Sequence, residues 1–86
     1  MQADLDTLKR RIVEAATRSG VAAQLGNVAV EADRDEDGAD FLRVIVQVKD
    51  VAQVDEAEFD TLLEAIERAV GDVDERYPSV RFSDAA

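Results

Sequence analysis

Along the first part of the chain, apolar residues recur at steps of three and four, the spacing of a helix that buries one face. This stripe consists of Leu5, Leu8, Ile12, Ala15 and Ala16. Asp4 stands just before it, at the position of an N-cap, and Ser19-Gly20 fits the end of the helix. The segment Val21–Leu25 is compatible with a further short turn.

Two segments with strand periodicity come next, because their apolar and polar residues alternate. The first is Asn27–Asp33 and the second is Phe41–Lys49. The more apolar face of the second segment is formed by Leu42, Val44, Val46 and Val48. Asp37-Gly38 in the connection is typical of a hairpin turn, and the polar stretch around it predicts a bulged or longer hairpin.

A second helix is predicted where Asp55 and Glu58 take the spacing of a capping box, with Asp in place of Ser or Thr. Val54 and Phe59 then occupy the two positions of a hydrophobic staple. The apolar stripe of this helix continues for almost five turns through Phe59, Leu62, Leu63, Ile66, Val70 and Val73.

The end of this helix is limited by Gly71 and Pro78. Gly71 either ends the helix or is tolerated inside it at a cost of about 1 kcal/mol. Pro78 prevents continuation past Tyr77, because proline restricts the residue before it and cannot donate a backbone hydrogen bond. A final strand, Ser79–Ser83, follows.

The elements therefore follow the order α-β-β-α-β within one domain that spans residues 1–86. A right-handed crossover through the second helix makes the last strand parallel to the second. Two helices then cover one face of a three-stranded sheet, which is a two-layer α/β sandwich of the α+β class. Strand orders 3-1-2 and 1-2-3 both fit. Asp in place of Val46 or Leu63 is expected to unfold this domain.

Composition narrows the chemistry, because the chain has 20 acidic and 10 basic residues, a net charge of −10, and no His, Cys or Trp. The commonest catalytic bases, nucleophiles and soft-metal ligands are therefore missing, and we expect no enzyme activity and no cofactor. Nucleic acid is an unfavourable partner, since phosphate binding needs a basic face.

The element order resembles small KH-like and ferredoxin-like modules, but the G-x-x-G loop of a KH domain is missing.

The location is predicted from the same composition. No apolar run approaches the length of a membrane span, and the N-terminus has no apolar core of a signal peptide. The lack of Cys fits a reducing compartment. We therefore expect a cytoplasmic protein without a membrane partner.

The connection at residues 33–38 matches the D-x-D-x-D-G opening of calcium-binding loops. The match then ends, because the ninth and twelfth positions of the loop are Phe41 and Val44, neither of which offers a carboxylate. The flanking segments are strands, whereas an EF-hand loop lies between helices. A solvated acidic turn is the interpretation we favour, and no metal ligand is predicted.

The leading functional hypothesis is an acidic module that binds and restrains a basic protein partner. Antitoxins, immunity proteins and inhibitors that imitate the charge of nucleic acid share this combination of size and charge. Long-range attraction would speed encounter, and binding would weaken with salt. The candidate carboxylates are Asp33, Asp35, Glu36, Asp37, Asp40, Glu56, Asp60, Glu64 and Glu67.

The alternative hypothesis is a structural or accessory subunit that forms a homodimer, or docks, through the sheet face that no helix covers. Alternation places on that face Ala29, Glu31, Phe41, Arg43, Ile45, Gln47 and Arg81. Aromatic residues and Arg are enriched in interfaces, and docking of this kind is only weakly sensitive to salt. Phe41→Glu combined with Ile45→Glu is then expected to leave the fold intact and to lower the apparent mass.

Overall fold

A computed structural model describes residues 2–20 and 25–84 and has the predicted α-β-β-α-β order. Its helices and strands are α1 (Leu5–Arg18), β1 (Leu25–Arg34), β2 (Asp40–Val48), α2 (Glu56–Gly71) and β3 (Tyr77–Asp84). One turn of 3-10 helix, Val51–Gln53, precedes α2. The predicted fold class, an α+β sandwich with two helices on a three-stranded sheet, is therefore confirmed.

The sheet has the strand order β1-β2-β3, which is one of the two orders that the sequence allowed. β1 and β2 are antiparallel because a hairpin joins them. β3 is parallel to β2, as the crossover through α2 predicted. β2 is consequently the central strand, paired along both edges.

The core lies between the sheet and the two helices. Its fully buried large side chains are Leu8, Ile12, Leu42, Val44, Val46, Val48, Leu62, Ile66 and Val70. They come from the predicted stripes of both helices and from the more apolar face of β2. Of the two neighbouring leucines on α2, Leu62 is fully buried in the core and Leu63 is only half-buried.

The predicted ends of the helices are confirmed. The Asp4 carboxylate accepts a hydrogen bond of 2.7 Å from the Thr7 backbone N–H. Asp55 and Glu58 make both bonds of the capping box, and Gly71 is the last residue of α2. Gly20 takes a φ of +94° just after α1, which a residue with a side chain rarely adopts.

Two strands, β1 and β3, are longer than predicted, while β2 keeps its predicted length and begins and ends one residue earlier, so that Lys49 lies outside it. β1 begins at Leu25, so this residue lies in a strand and not in a helical turn, while residues 21–24 lie outside the described residues. β3 begins at Tyr77 and includes Pro78, which an edge strand tolerates. In the described part of the chain, no helix is long and apolar enough to cross a membrane.

Candidate functional site

The face of the sheet that points away from α1 and α2, here called the open face, contains every residue of the predicted sheet-face set. Strand register arranges its side chains in rows across β1, β2 and β3: Ala29–Ile45–Arg81, Glu31–Arg43–Ser79 and Asp33–Phe41–Tyr77. Gln47 lies beside Ser83 at the end of β2. Both helices pack on the opposite side, since their buried stripes share one cluster with the inward residues of β2.

Arg43 is held at the centre of the open face by its neighbours. Its Nη2 lies 2.7 Å from Oδ2 of Asp33, and its Nη1 lies 3.5 Å from Oε2 of Glu31. Its guanidinium carbon lies 5.5 Å from the centre of the Phe41 ring, within the range of a cation–π contact. The pKa of Asp33 is lowered, first by the Arg34 backbone N–H and then by the Arg43 side chain.

Three large apolar or aromatic side chains also lie on the open face. Phe41 and Ile45 are half-buried on β2, while Tyr77 on β3 is 66% exposed. Tyr77 was missing from the predicted set because the strand was predicted to begin at Ser79. Alternation extended two residues back from Ser79 would have placed it on this face. Among the residues that the structure describes, no carboxylate lies within ion-pair distance of Arg81.

The hairpin between β1 and β2 uses several of its predicted binding carboxylates for its own structure. Asp40 forms an ion pair of 3.0 Å with Nε of Arg34, while Asp33 is bound to Arg43. Asp35 Oδ1 accepts hydrogen bonds of 2.9 Å from the backbone N–H groups of residues 37 and 39. Glu36 and Asp37 remain as exposed carboxylates without an ion pair to any described residue. The hairpin therefore offers fewer uncompensated charges than its sequence indicates.

The carboxylates predicted on α2 lie together on the outer surface of that helix. All four members of this acidic helix surface, Glu56, Asp60, Glu64 and Glu67, are exposed. None of them forms an ion pair within the described ranges. The predicted acidic set is thus divided between the hairpin, at the end of the sheet, and the helical layer. Within residues 2–20 and 25–84, no group of three or more carboxylates could hold a metal ion.

The sequence did not predict a shallow groove that lies between α1 and α2. It has a volume of about 450 Å³ and is lined by alanines and by Arg11, Arg18 and Arg68. Arg11 donates a hydrogen bond of 3.1 Å to the backbone carbonyl of Ala69, and so helps to hold the two helices together. Because two acidic residues, Glu14 and Asp72, line the same groove, its charge is nearly balanced.

The remaining site that the sequence did not reveal is a buried ion pair between Asp74 and Arg76. Nη2 of Arg76 lies 2.7 Å from Oδ2 of Asp74, and the carboxylate also accepts a hydrogen bond of 3.0 Å from the backbone N–H of Ala3. The bond from the Arg76 side chain is the main reason why the pKa of Asp74 is lowered to about 2. This pair joins the N-terminal segment to the connection between α2 and β3, which is a structural role.

No model of a protein family matches the chain, and no curated protein matches it. Similar solved structures are two variants of MamM-CTD, both with a TM-score of 0.49. The first is 25% identical, over 96% of this chain and 99% of that one, and the second is 24% identical, over 94% and 92%. The copper form of the MamM CTD has a TM-score of 0.48 and 17% identity, over 95% of this chain and 89% of that one. At these TM-scores the likeness assigns neither a family nor a function to this chain.

Proposed function

We propose that this chain is a protein-interaction module, acting as a structural or accessory subunit, and that it docks through the open face. The observation that carries this proposal is the group formed by Phe41, Ile45 and Tyr77 on a sheet face that neither helix covers. Aromatic residues and Arg are enriched where proteins meet. A sheet with one uncovered side buries that side when a second layer packs on it.

The charges at the centre of the open face favour docking. Taking an isolated guanidinium out of water is expensive, and the cost falls when the group already has good partners. Arg43 has two carboxylates and an aromatic ring around it. A partner that covers Arg43 therefore covers a group whose charge is already compensated.

The open face is tested by photo-cross-linking in the native host cell. A photoreactive phenylalanine analogue replaces Tyr77 in one variant, and in a control variant it replaces Val13, which is 39% exposed on α1. We expect protein adducts of defined mass from position 77 and not from position 13, because only the open face is covered. Phe41→Glu combined with Ile45→Glu should remove the adduct while the circular dichroism spectrum stays that of the folded chain. Equal labelling from both positions, or no adduct from position 77, would contradict the proposal.

A second candidate function is supported by the acidic helix surface. Its four exposed carboxylates have no ion-pair partner among the described residues, and the chain carries a net charge of −10. We propose that this surface attracts a basic protein and restrains it by covering its Lys and Arg residues. Attraction of this kind acts over the Debye length, which shrinks from about 30 Å at 0.01 M salt to about 8 Å at 0.15 M.

The same cross-linking method separates this second function from the first. With the photoreactive residue at position 60 and irradiation in a lysate of the host, we expect an adduct with a basic protein that disappears as salt is raised to about 0.3 M, because the attraction is screened. A variant with Gln at positions 56, 64 and 67 should lose the adduct at every salt concentration. The control removes two exposed carboxylates from the hairpin, with Gln in place of Glu36 and Asn in place of Asp37. An adduct that resists salt and survives the α2 substitutions would exclude this function.

A further inference from the structure

We infer that the partner of the open face is a second copy of this chain, packed face to face about a twofold axis parallel to the strands. This inference rests on the proposed function of the open face and adds the identity and orientation of the partner. It depends on how charge is distributed over the rows of the sheet.

The open face is electrically balanced, although the chain as a whole is strongly acidic. The charged residues in the rows of this face are two carboxylates, Glu31 and Asp33, and two guanidinium groups, Arg43 and Arg81. The whole chain carries a net charge of −10, so every acidic surface of one copy repels the acidic surfaces of another. The open face is therefore a surface through which two copies can approach without local repulsion.

The balanced charge is also polarised across the strands. Both carboxylates lie on β1, and they share one guanidinium, that of Arg43 on β2. The fourth charge, Arg81, lies on β3 and has no ion-pair partner among the described residues. One edge of the open face thus has an excess negative charge, and the other edge has an uncompensated positive charge.

A twofold axis parallel to the strands places β1 of each copy over β3 of the other. Arg81 then lies opposite Ala29 of the second copy and one row away from its Glu31. Rows on one face are about 7 Å apart along a strand, and packed sheets lie about 10 Å apart, distances that extended Arg and Glu side chains span together. The dimer acquires two such pairs by symmetry.

An axis perpendicular to the strands has the opposite electrostatic result. It places β1 over β1 and β3 over β3, so that the strand with both carboxylates packs on its own equivalent and the strand with Arg81 does the same. Like charges brought together at an interface are unfavourable, and this second arrangement is disfavoured for that reason.

In the favoured arrangement the central strands meet at the axis, where Phe41 and Ile45 of the two copies pack together. Arg43 of each copy would also meet its equivalent there. Its bonds to Asp33 and Glu31 draw each guanidinium towards β1 of its own sheet. The two guanidinium groups are therefore displaced to opposite sides of the axis.

The size of the open face predicts a weak dimer. Three strands spaced about 4.8 Å apart, each about eight residues long, cover about 400 Å² in projection. Stable interfaces bury about 800 Å² on each partner. We therefore expect a monomer–dimer equilibrium with a dissociation constant between about 10 μM and 1 mM.

The inference is tested by sedimentation equilibrium of purified charge-reversal variants at about 0.15 M salt, where repulsion between the acidic chains is partly screened. Arg81→Glu and Glu31→Arg should each raise the dissociation constant at least tenfold, because each creates two like-charge contacts. The variant with both reversals should return to within about threefold of the unmodified chain. The matched controls Lys9→Glu and Glu67→Arg make the same changes of net charge on exposed helix positions and should leave the constant within about twofold.

The outcomes separate this inference from the function on which it rests. If neither single reversal weakens the dimer while Phe41→Glu with Ile45→Glu abolishes it, the open face dimerises but the proposed axis is wrong. A chain that stays monomeric at about 1 mM overturns self-association. Adducts from position 77 would then show that the open face docks a different protein, and their absence would overturn the proposed function as well.

Discussion

Val46→Asp is expected to unfold the domain at 25 °C. Val46 is fully buried in the central strand, paired with Val28 on β1 and with Phe82 on β3. The substitution loses about 1.5–3 kcal/mol of apolar transfer free energy. It also buries a carboxylate without a partner, which costs several kcal/mol more. A domain of this size has a free energy of unfolding of about 4–13 kcal/mol, so the two costs together consume most or all of it. Far-UV circular dichroism and urea unfolding measure the result.

The matched control is Ile45→Asp, the same kind of substitution at the preceding residue of β2. Ile45 lies on the open face and is half-buried, so its carboxylate reaches water and the domain should stay folded. Leu63→Asp should also cost less than Val46→Asp, because Leu63 on α2 is half-buried as well. If Ile45→Asp unfolds the monomer as completely as Val46→Asp, Ile45 belongs to the core of the monomer and the face that we describe as open is wrong.

The sequence predicted best the elements whose apolar pattern is long and regular. On β2, four alternating residues from Leu42 to Val48 identify the inward face, and all four are buried. On α2, the capping box formed by Asp55 and Glu58 marks the start independently of the stripe. In these elements local propensity and burial favour the same structure, which is why they can be predicted from a single sequence.

The ends of the edge strands were predicted less well. The last strand was predicted to begin at Ser79, because Pro78 was used only as the residue that prevents a helix from continuing past Tyr77. In β3, however, Pro78 lies on an edge strand, where not every N–H needs a partner. β3 is an edge strand in both strand orders that the sequence allowed, so the proline did not exclude Tyr77-Pro78 from it. The late start of the predicted strand also left Tyr77 out of the predicted sheet-face set.

The partners of the charged residues could not be predicted, because they depend on register and on distant contacts. Asp33 was grouped with the acidic hairpin, yet it binds Arg43, whose own register partner is Glu31. Asp74 and Ala3 are separated by 71 residues along the chain and are joined by a hydrogen bond. Spacing along a sequence predicts the face of an element on which a side chain lies. Predicting an ion pair also requires the relative position of the two elements that carry the charges.

The second large effect is expected for Asp74→Asn, which should lower the free energy of unfolding by about 3–5 kcal/mol, the cost of breaking a buried ion pair. The Asp74 side chain is fully buried, and that of Arg76 is 10% exposed. Oδ1 of Asp74 accepts from the Arg76 backbone N–H and from its Nε, while Oδ2 accepts from Ala3 and from Nη2 of Arg76. Because donors face both oxygens, the amide group of Asn places a donor against a donor in either orientation. The matched control is Asp72→Asn in the same connection, where an exposed carboxylate loses only an ion pair of 3.7 Å.

The pH dependence of the stability that Asp74→Asn loses identifies the cause of that loss. The pKa of Asp74 is lowered from 3.8 to about 2 in the folded chain, chiefly by its bond from the Arg76 side chain, so the unfolded chain binds the proton more readily. A lowered pKa stabilises the folded state above the unfolded value, here by about 2 kcal/mol, and this contribution is lost as the pH falls from about 4 to about 2. Urea unfolding of the unmodified chain and of Asp74→Asn should therefore give curves that converge as the pH falls through this range. The other carboxyl groups titrate in both proteins and cancel in the difference. A difference that stays constant down to pH 2 would mean that Asn destabilises the domain through packing alone, and that the charge of Asp74 contributes nothing.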